Sequence, residues 1–441
     1  MVSSAYLARV NDQMDTAIGE LTPPPTVLDA YPEQAALWEQ AAAAVAKLKP
    51  ALESAARDIH AQPEVAFEET YAQQRLVALL SDFDVELGAH GLETAFRATW
   101  STPEFDPAEH PTIALLSEYD ALPGIGHACG HNLIGTAGVG GFLGAVAALQ
   151  DSDFQGRLVL FGTPAEEGRA GKELMIRSGM LAGIDAAAMI HPFSYDIGSH
   201  VWVGRRTLHA TFRGVSAHAS SEPFMGRNAL DAVTLAYQGI GLMRQQMPPS
   251  DRVHAVIPTG GERPSIIPDA ASLLLNVRSL YPETLLELSA RVSEILEGAA
   301  LMAGVSVELD WDPDPATLPV RNNEAMVSRW ALTQSRRGRA AIPAGVIPAT
   351  LAASTDFGNV SHLVPGIHPM VKIAPVGVAL HTAELREAAA SEDGMVALED
   401  AAVGLAQVAV DLIADPALLA ATRAEFAESG GAVTTAELFG G

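Results

Sequence analysis

The sequence predicts an α/β protein, a mostly parallel sheet flanked by helices and interrupted by a smaller α+β domain. Three observations lead there. The chain has 441 residues, more than one ordinary core organises, so two domains are expected. Between residues 112 and 191 short apolar runs alternate with helical patterns, the rhythm of a parallel sheet. Near residue 206 the rhythm changes. A strand–helix–strand–strand–helix–strand order follows, as in a ferredoxin-like unit.

The elements follow in chain order. Residues 32–60 are Ala-rich, with apolar positions at helical spacing behind a "TPPP" stop. "TIALLSEYDALP" opens as a buried strand, 112–117, and then turns. The stretch 132–149 reads as an apolar helix whose five glycines suit close burial near an active site better than a bilayer span, although its length approaches one. "GRLVLFGTPAEEG" is a strand over 157–162 running into a Pro-containing loop; "ELMIRSGML" is a short helix and "DAAAMIHP" a short buried strand. In the inserted part, "RTLHATFRGVSAHA" alternates like a half-exposed strand and "GRNALDAVTLAYQGIGLMRQQM" is an amphipathic helix. "ASLLLNVRSLY", "PETLLELSARVSEILEGAALMAG" and "VSVELDWD" read as strand, helix and strand. "DPDPATLP", 312–319, is a linker back, and apolar patterns resume over 324–424. The tail "ESGGAVTTAELFGG" is expected to fray. One domain is therefore expected from residues 1–205 and 316–441, with 206–315 inserted through two crossings that form a natural hinge.

Composition narrows the function. The net charge is −26, from 27 basic and 53 acidic residues, which argues against nucleic acid and anionic membranes as partners. A single cysteine rules out an internal disulfide framework and fits a reducing cytoplasm. The first twenty residues carry no charged-then-apolar leader pattern. "GVGGFLG" is not a dinucleotide fingerprint, and neither an H-E-x-x-H helix nor a G-x-S-x-G elbow is present.

The chemistry-bearing residues gather at the ends of the inferred strands. Glu118 and Asp120 follow the strand 112–117, with Cys129 and His131 just after; Glu166 and Glu167 follow 157–162; His191 ends "AAAMI"; His381 follows a later apolar run. In a parallel α/β sheet, ligand sites form beyond the carboxyl ends of the strands. Cys, His, Glu and Asp are ligands for zinc or manganese, and two such ions can activate a water and polarise a carbonyl. Extended backbone at Glu166–Glu167 would point the neighbouring side chains apart, one to a metal and one to the water as general base. The plain alternatives are a buried, inert Cys129 and a solvated glutamate pair.

Six stretches in order, "EYDALPGIGHACGHN", "GTPAEEGRAGK", "MIHP", "SAHASSEPFMGRNALDAV", "STDFGNVS" and "LHTAEL", resemble the aminoacylase/carboxypeptidase family of metallopeptidases, M20. The likeness is to its amidohydrolase branch: auxin-conjugate hydrolases, hippurate hydrolases and aminobenzoyl-glutamate hydrolase subunits. "IHAQPEVAFEE", 59–69, resembles that branch's N-terminal signature, and the resemblance runs from about residue 50 to 410. It implies a di-metal peptidase catalytic domain with a lid and dimerisation domain. It implies two divalent ions, Zn or Mn, held by Cys129, His131, Glu167, His191 and His381, with Glu166 as general base and Asp120 supporting the ligands. His218 matches a lid histidine that in relatives reaches the partner subunit's site and stabilises the oxyanion. Ser265 stands where relatives usually carry Asn, which leaves that contact's reach open. Arg278 is a candidate for a substrate carboxylate or an ordinary strand arginine, and Asn359 lies in a loop that lines a pocket or merely turns.

The expected activity is hydrolysis of an N-acyl amino acid, an aminobenzoyl-glutamate-like conjugate or a small dipeptide, each with a free carboxylate, by a homodimer in the cytoplasm. Two alternatives stay open: a cysteine amidase with Cys129 and His131, and a metal-binding relative without turnover.

Overall fold

The computed structural model describes residues 5–21 and 32–440. The "TPPP" stop lies outside them. The chain runs α1 Ala5–Gly19, α2 Pro32–Ala61, α3 Thr70–Ala78, β1 Val85–Leu87, β2 Phe96–Ser101, β3 Thr112–Ser117, α4 His131–Leu149, β4 Arg157–Gly162, α5 Gly171–Arg177, β5 Ala186–Ala188 and β6 His191–Phe193. Then come β7 Gly204–Arg213, α6 Ala229–Met243, β8 Arg252–Thr259, β9 Ala270–Ser279, α7 Pro282–Ala303 and β10 Ser306–Trp311. It closes with α8 Glu324–Ser335, α9 Phe357–Ser361, β11 Gly366–Ile367, β12 Met370–Lys372, α10 Ala383–Ala388, α11 Glu392–Ala414, α12 Pro416–Glu428 and α13 Thr435–Phe439.

Two compact units form. The first comprises Met1–His200, Val320–Pro348 and Asn359–Thr434. Its sheet has the order β1-β2-β4-β3-β5-β11. The β4-β3-β5-β11 part is parallel, and β1 and β2 run antiparallel at one edge. Strand β3 is buried at every position, as a central parallel strand covered on both faces should be. Helix α4 packs against α2, α11 and β3. Its glycines explain how. A Cβ at Gly140 would sit 2.9 Å from the Ala402 Cβ, and one at Gly144 would sit 2.7 Å from Val45. Small residues let the helix axes approach closely and bury the whole helix. By length and composition α4 could cross a membrane, yet 89% of its apolar stretch is buried inside this unit, so it is a core helix.

The segment 185–192, expected as one strand, is two. Strand β5 pairs with β11 and β6 with β12, and the break falls at Met189–Ile190. The ladder is carried across by Met189 N–H to the Ile367 carbonyl at 3.1 Å and His191 N–H to the Pro369 carbonyl at 2.8 Å. Pro369 has no N–H to return, so the pairing is thinned where His191 emerges.

The second unit comprises Val201–Pro319, Ala349–Gly358 and Thr435–Gly441. Its four-stranded antiparallel sheet has the order β10-β7-β9-β8, and its chain order β-α-β-β-α-β is ferredoxin-like. Strand β9 alternates between buried and half-buried positions. Its inward residues Leu273, Leu275 and Val277 pack with Val233 and Ile240 of α6 and with Val292 and Leu296 of α7. One expectation fails: the C-terminal tail does not fray. It forms α13, where Phe439 packs on this core and lies 4.6 Å beneath the Arg206 guanidinium. An aromatic side chain with apolar area to bury outweighed the polar residues around it.

Candidate active site

The metal-ligand and general-base candidates in the first unit lie in turns that follow strands, at the start of β6 or at a helix start, whereas Asn359 lies within α9. Asp120 sits in the turn after β3 and is 1% exposed. Its Oδ1 meets His131 Nδ1 at 3.0 Å, and its Oδ2 accepts the Glu167 N–H at 2.9 Å. His131 opens α4 and is buried. The residue before it, Gly130, has φ 81°, and a Cβ there would lie 2.8 Å from Pro192. Only glycine fits, and this contact brings the Cys129–His131 turn onto the His191–Pro192 strand. The Cys129 Sγ then stands 3.4 Å from His191 Nε2. His191 Nδ1 donates to the Pro192 carbonyl at 2.7 Å, which turns Nε2 towards the cysteine. His381 is in the left-handed region, φ 62°, and its N–H is bonded to the Ala128 carbonyl at 3.0 Å. Its Nε2 lies 3.3 Å from Glu167 Oε1.

Glu166 and Glu167 follow β4 in a loop that begins with a strained residue. Ala165 has φ 62°, a conformation that costs a non-glycine residue ~1–3 kcal/mol. Both glutamates are half-buried.

Among the described residues three donor groups result, in each of which the ligand atoms lie within 4.8 Å of one another: Cys129–His131–His191, Cys129–Glu167–His381, and His131–Glu166–Glu167. Cys129 belongs to the first two. Soft thiolate, imidazole and carboxylate together are the donor chemistry of zinc and of manganese. His131 Nε2 and Glu167 Oε1 are buried and make no hydrogen bond, facing Glu118 Oε1 and His381 Nε2 as ion pairs at 3.3 Å. Electrostatics agree. Burial pushes the Cys129 thiol up, with Glu167 adding to the effect, so a nearby cation is what would ionise it. Burial brings His191 down to about 4, leaving it a neutral ring able to ligate. Burial opposes charge on His131 too, but Glu118, Cys129 and the Asp120 hydrogen bond outweigh it and hold the ring well above its ordinary value.

The remaining candidates have their own surroundings. His218 is exposed in the second unit, with its Nδ1 facing the Ser220 and Ser221 N–H groups at 3.3 and 3.2 Å. That engages Nδ1. Ser265 is exposed, and its carbonyl accepts the Ala219 N–H at 3.0 Å. Arg278 is a half-buried β9 residue whose charge is disfavoured by burial and by Arg205. Asn359 is 2% exposed, and its amide donates to Glu173 Oε2 at 2.7 Å.

Three neighbours of the site stand outside the ligand set that the resemblance implies, and of these only Glu118 is picked out by the sequence, as a carboxylate at a strand end. Glu118 is buried, with Oε2 2.6 Å from Lys172 Nζ and Oε1 3.3 Å from His131 Nε2. Burial works against its charge, yet Lys172 and His131 bring its carboxyl down to about 2. His368 crosses His191 edge to face, with ring centroids 5.6 Å apart. "GIHP" repeats the "MIHP" pattern, the one sequence signal that could have found it. Glu69 is fully buried and accepts the Ala165 N–H; nothing in its residue type announces that.

Comparisons with known proteins follow this geometry. Residues 203–301 match the family model for the peptidase dimerisation domain. The chain is 36% identical over 381 residues to a mouse protein called Xaa-Arg dipeptidase, covering 84% of this chain and 87% of that one. It is 28% identical over 429 residues to a p-aminobenzoyl-glutamate hydrolase subunit of Escherichia coli, covering 81% and 88%. Among solved structures, an aminohydrolase of methicillin-resistant Staphylococcus aureus superposes with a TM-score of 0.67 at 20% identity, over 84% of this chain and 99% of that one. A dinuclear metal-binding M20 peptidase of Bacillus subtilis gives 0.60 at 19% identity, over 83% and 99%.

Proposed function

The chain belongs to the M20 peptidase family of amide-bond hydrolases, and from that premise we propose that it is a di-metal dipeptidase preferring a basic carboxyl-terminal residue. The observation that carries the mechanism is the sharing of Cys129 between two donor groups, with Glu166 in a third group beside them. Cys129, His131 and His191 would hold one ion, and Cys129, Glu167 and His381 the other. Two divalent ions there would lower the pKa of a water and polarise the scissile carbonyl.

The chain's own residues do the rest. Glu166 would take the proton of the attacking water on its carboxylate and return it to the leaving amine nitrogen. Asp120 orients the His131 ring through Nδ1 and the glutamate backbone through the Glu167 N–H. His218, exposed in the second unit with its Nδ1 engaged by the Ser220 and Ser221 N–H groups, would serve as oxyanion donor in the site of a second subunit. That role requires a homodimer, which the dimerisation-domain match supports. Arg278 is the candidate for the substrate carboxylate, and Ser265 and Asn359 remain weaker ones.

Two things support the substrate: the name of the relatives at 36% and 35% identity, and the net charge of −26, which draws cationic ligands inward. Zinc is the better match for the group with two imidazoles, and manganese fits better where Glu167 adds a carboxylate. The lone cysteine favours a reducing, cytoplasmic setting. Burial of Cys129 and its pushed-up thiol speak against a cysteine nucleophile.

A hydrolysis panel tests the proposal. With Zn²⁺ or Mn²⁺ restored, alanyl-arginine and alanyl-lysine should exceed alanyl-glutamate, aminobenzoyl-glutamate and N-acetyl amino acids in kcat/KM by tenfold or more. A preference for aminobenzoyl-glutamate would overturn the substrate assignment and leave the chemistry standing. Full turnover after thorough chelation would overturn the chemistry.

A further inference from the structure

The general base sits on a loop whose geometry is fixed from two sides. Downstream of Glu166, the Glu167 N–H is bonded to Asp120 Oδ2 at 2.9 Å. Upstream, the Ala165 N–H is bonded to Glu69 Oε1, also at 2.9 Å. Glu69 lies far away in sequence, at the start of α3, and is 0% exposed. The same Oε1 accepts the Phe67 N–H at 3.0 Å, and Oε2 accepts the Thr94 hydroxyl at 2.8 Å. A buried carboxylate with several donors on it is held in one place.

The stretch that carries Glu69 also holds the Asp120 turn. The Glu64 carbonyl accepts the Ala121 N–H at 2.8 Å. The Glu64 carboxylate accepts the Tyr71 and Ala72 N–H groups at 3.0 and 2.9 Å and so starts α3. Thr94, which bonds Glu69, takes the Tyr119 hydroxyl on its carbonyl at 2.6 Å. Residues 64–69 therefore touch both the turn that supplies Asp120 and the loop that supplies Glu166. They contribute no donor to any of the three ligand groups.

We propose that Glu69 is a positioning residue for Glu166. With Asp120 it brackets the Glu166 backbone between two carboxylate-bound amides and holds Ala165 in its left-handed conformation. The strained φ of 62° at Ala165 is what such a bracket would maintain; without the Glu69 acceptor the residue is free to relax and to swing Glu166 away from the water. Displacement of a reacting group by an ångström costs ~10²-fold in rate. The proposal rests on Glu166 being the general base.

The test uses the full-length chain with Zn²⁺ restored and alanyl-arginine as substrate, comparing E69A, E69Q, E69D and E166Q. E69A should lower kcat ~10–100-fold, with KM changed less than threefold and metal content equal to wild type. E69Q should keep kcat within about fivefold, because its Oε1 still accepts both amides and its Nε2 can donate to the Thr94 hydroxyl. E69D keeps the charge but loses the reach, so it should fall below E69Q. Hydrogen exchange of residues 163–168 should rise in E69A and E69D and stay near wild type in E69Q and E166Q. The proposal is overturned by wild-type kcat in E69A, by losses that follow metal content or KM, or by unchanged exchange in that segment. If E69A does not fold, E69D equal to or above E69Q overturns it. Full activity in E166Q would sink the general-base reading, while the exchange data would still judge the anchoring by itself.

Discussion

The two halves of the candidate metal centre share Cys129 and little else. In the Cys129–His131–His191 half every residue is buried. His131 is clamped by Asp120 at 3.0 Å and His191 by the Pro192 carbonyl at 2.7 Å, and the two rings meet edge to face at 6.1 Å. In the Cys129–Glu167–His381 half, the His381 side chain is 52% exposed and its residue is held in a loop by a backbone bond to Ala128. The contrast teaches a division of labour. The buried half is preorganised and would bind its ion tightly and keep it. The exposed half is where water and substrate can reach an ion, and where that ion would exchange.

The largest effect is expected where chemistry depends on the loop between the halves. E166Q should retain both ions and lose ~10²–10⁴-fold in kcat, measured by turnover beside elemental analysis; metal loss in proportion to activity would make Glu166 a ligand instead. Next, H381A should release one ion per chain and leave the other. H191A should instead weaken the buried half. If both variants lose the same ion, the asymmetry is wrong. Timed chelation sharpens the comparison further, since one equivalent should leave quickly and the second slowly; a single-phase release would erase the distinction.

A smaller effect concerns pH. Burial opposes charge on His131, but Glu118 and the Asp120 hydrogen bond raise the ring well above its ordinary value, and burial pushes the Cys129 thiol up. Filling the buried half must therefore expel protons, so its Zn²⁺ affinity rises with pH. His191, down at about 4, adds nothing above pH 5. Competition with a chromophoric chelator at pH 6 and pH 8 should show tighter binding at pH 8, by tenfold or more; a flat profile would contradict these charge states.

How far the molecule could be read from its sequence follows the same division. The ligand candidates were legible because their types are rare and their places regular: one cysteine, and His, Glu and Asp at strand ends. The parallel strands and the ferredoxin-like order were legible from apolar rhythm. What the sequence concealed were contacts made through backbone. Glu69 accepts the amide of Ala165, about a hundred positions away, which leaves no periodic trace. Gly130 reads as a loop glycine until its Cβ is placed against Pro192. Glu118 was legible as a strand-end carboxylate, but Lys172 looks like a surface charge, and only their three-dimensional pairing permits both to be buried. The tail misled for the opposite reason, since its composition is that of a frayed end and one phenylalanine decided otherwise.

The central claim is that one cysteine serves two ions. Metal content and alanyl-arginine turnover of the wild type and of C129A, titrated from the metal-free state, test it most directly. Two ions per chain in the wild type, with less than one in C129A and no measurable turnover, is the expected result. Two tightly held ions in C129A, or hydrolysis persisting at the wild-type rate, would contradict it.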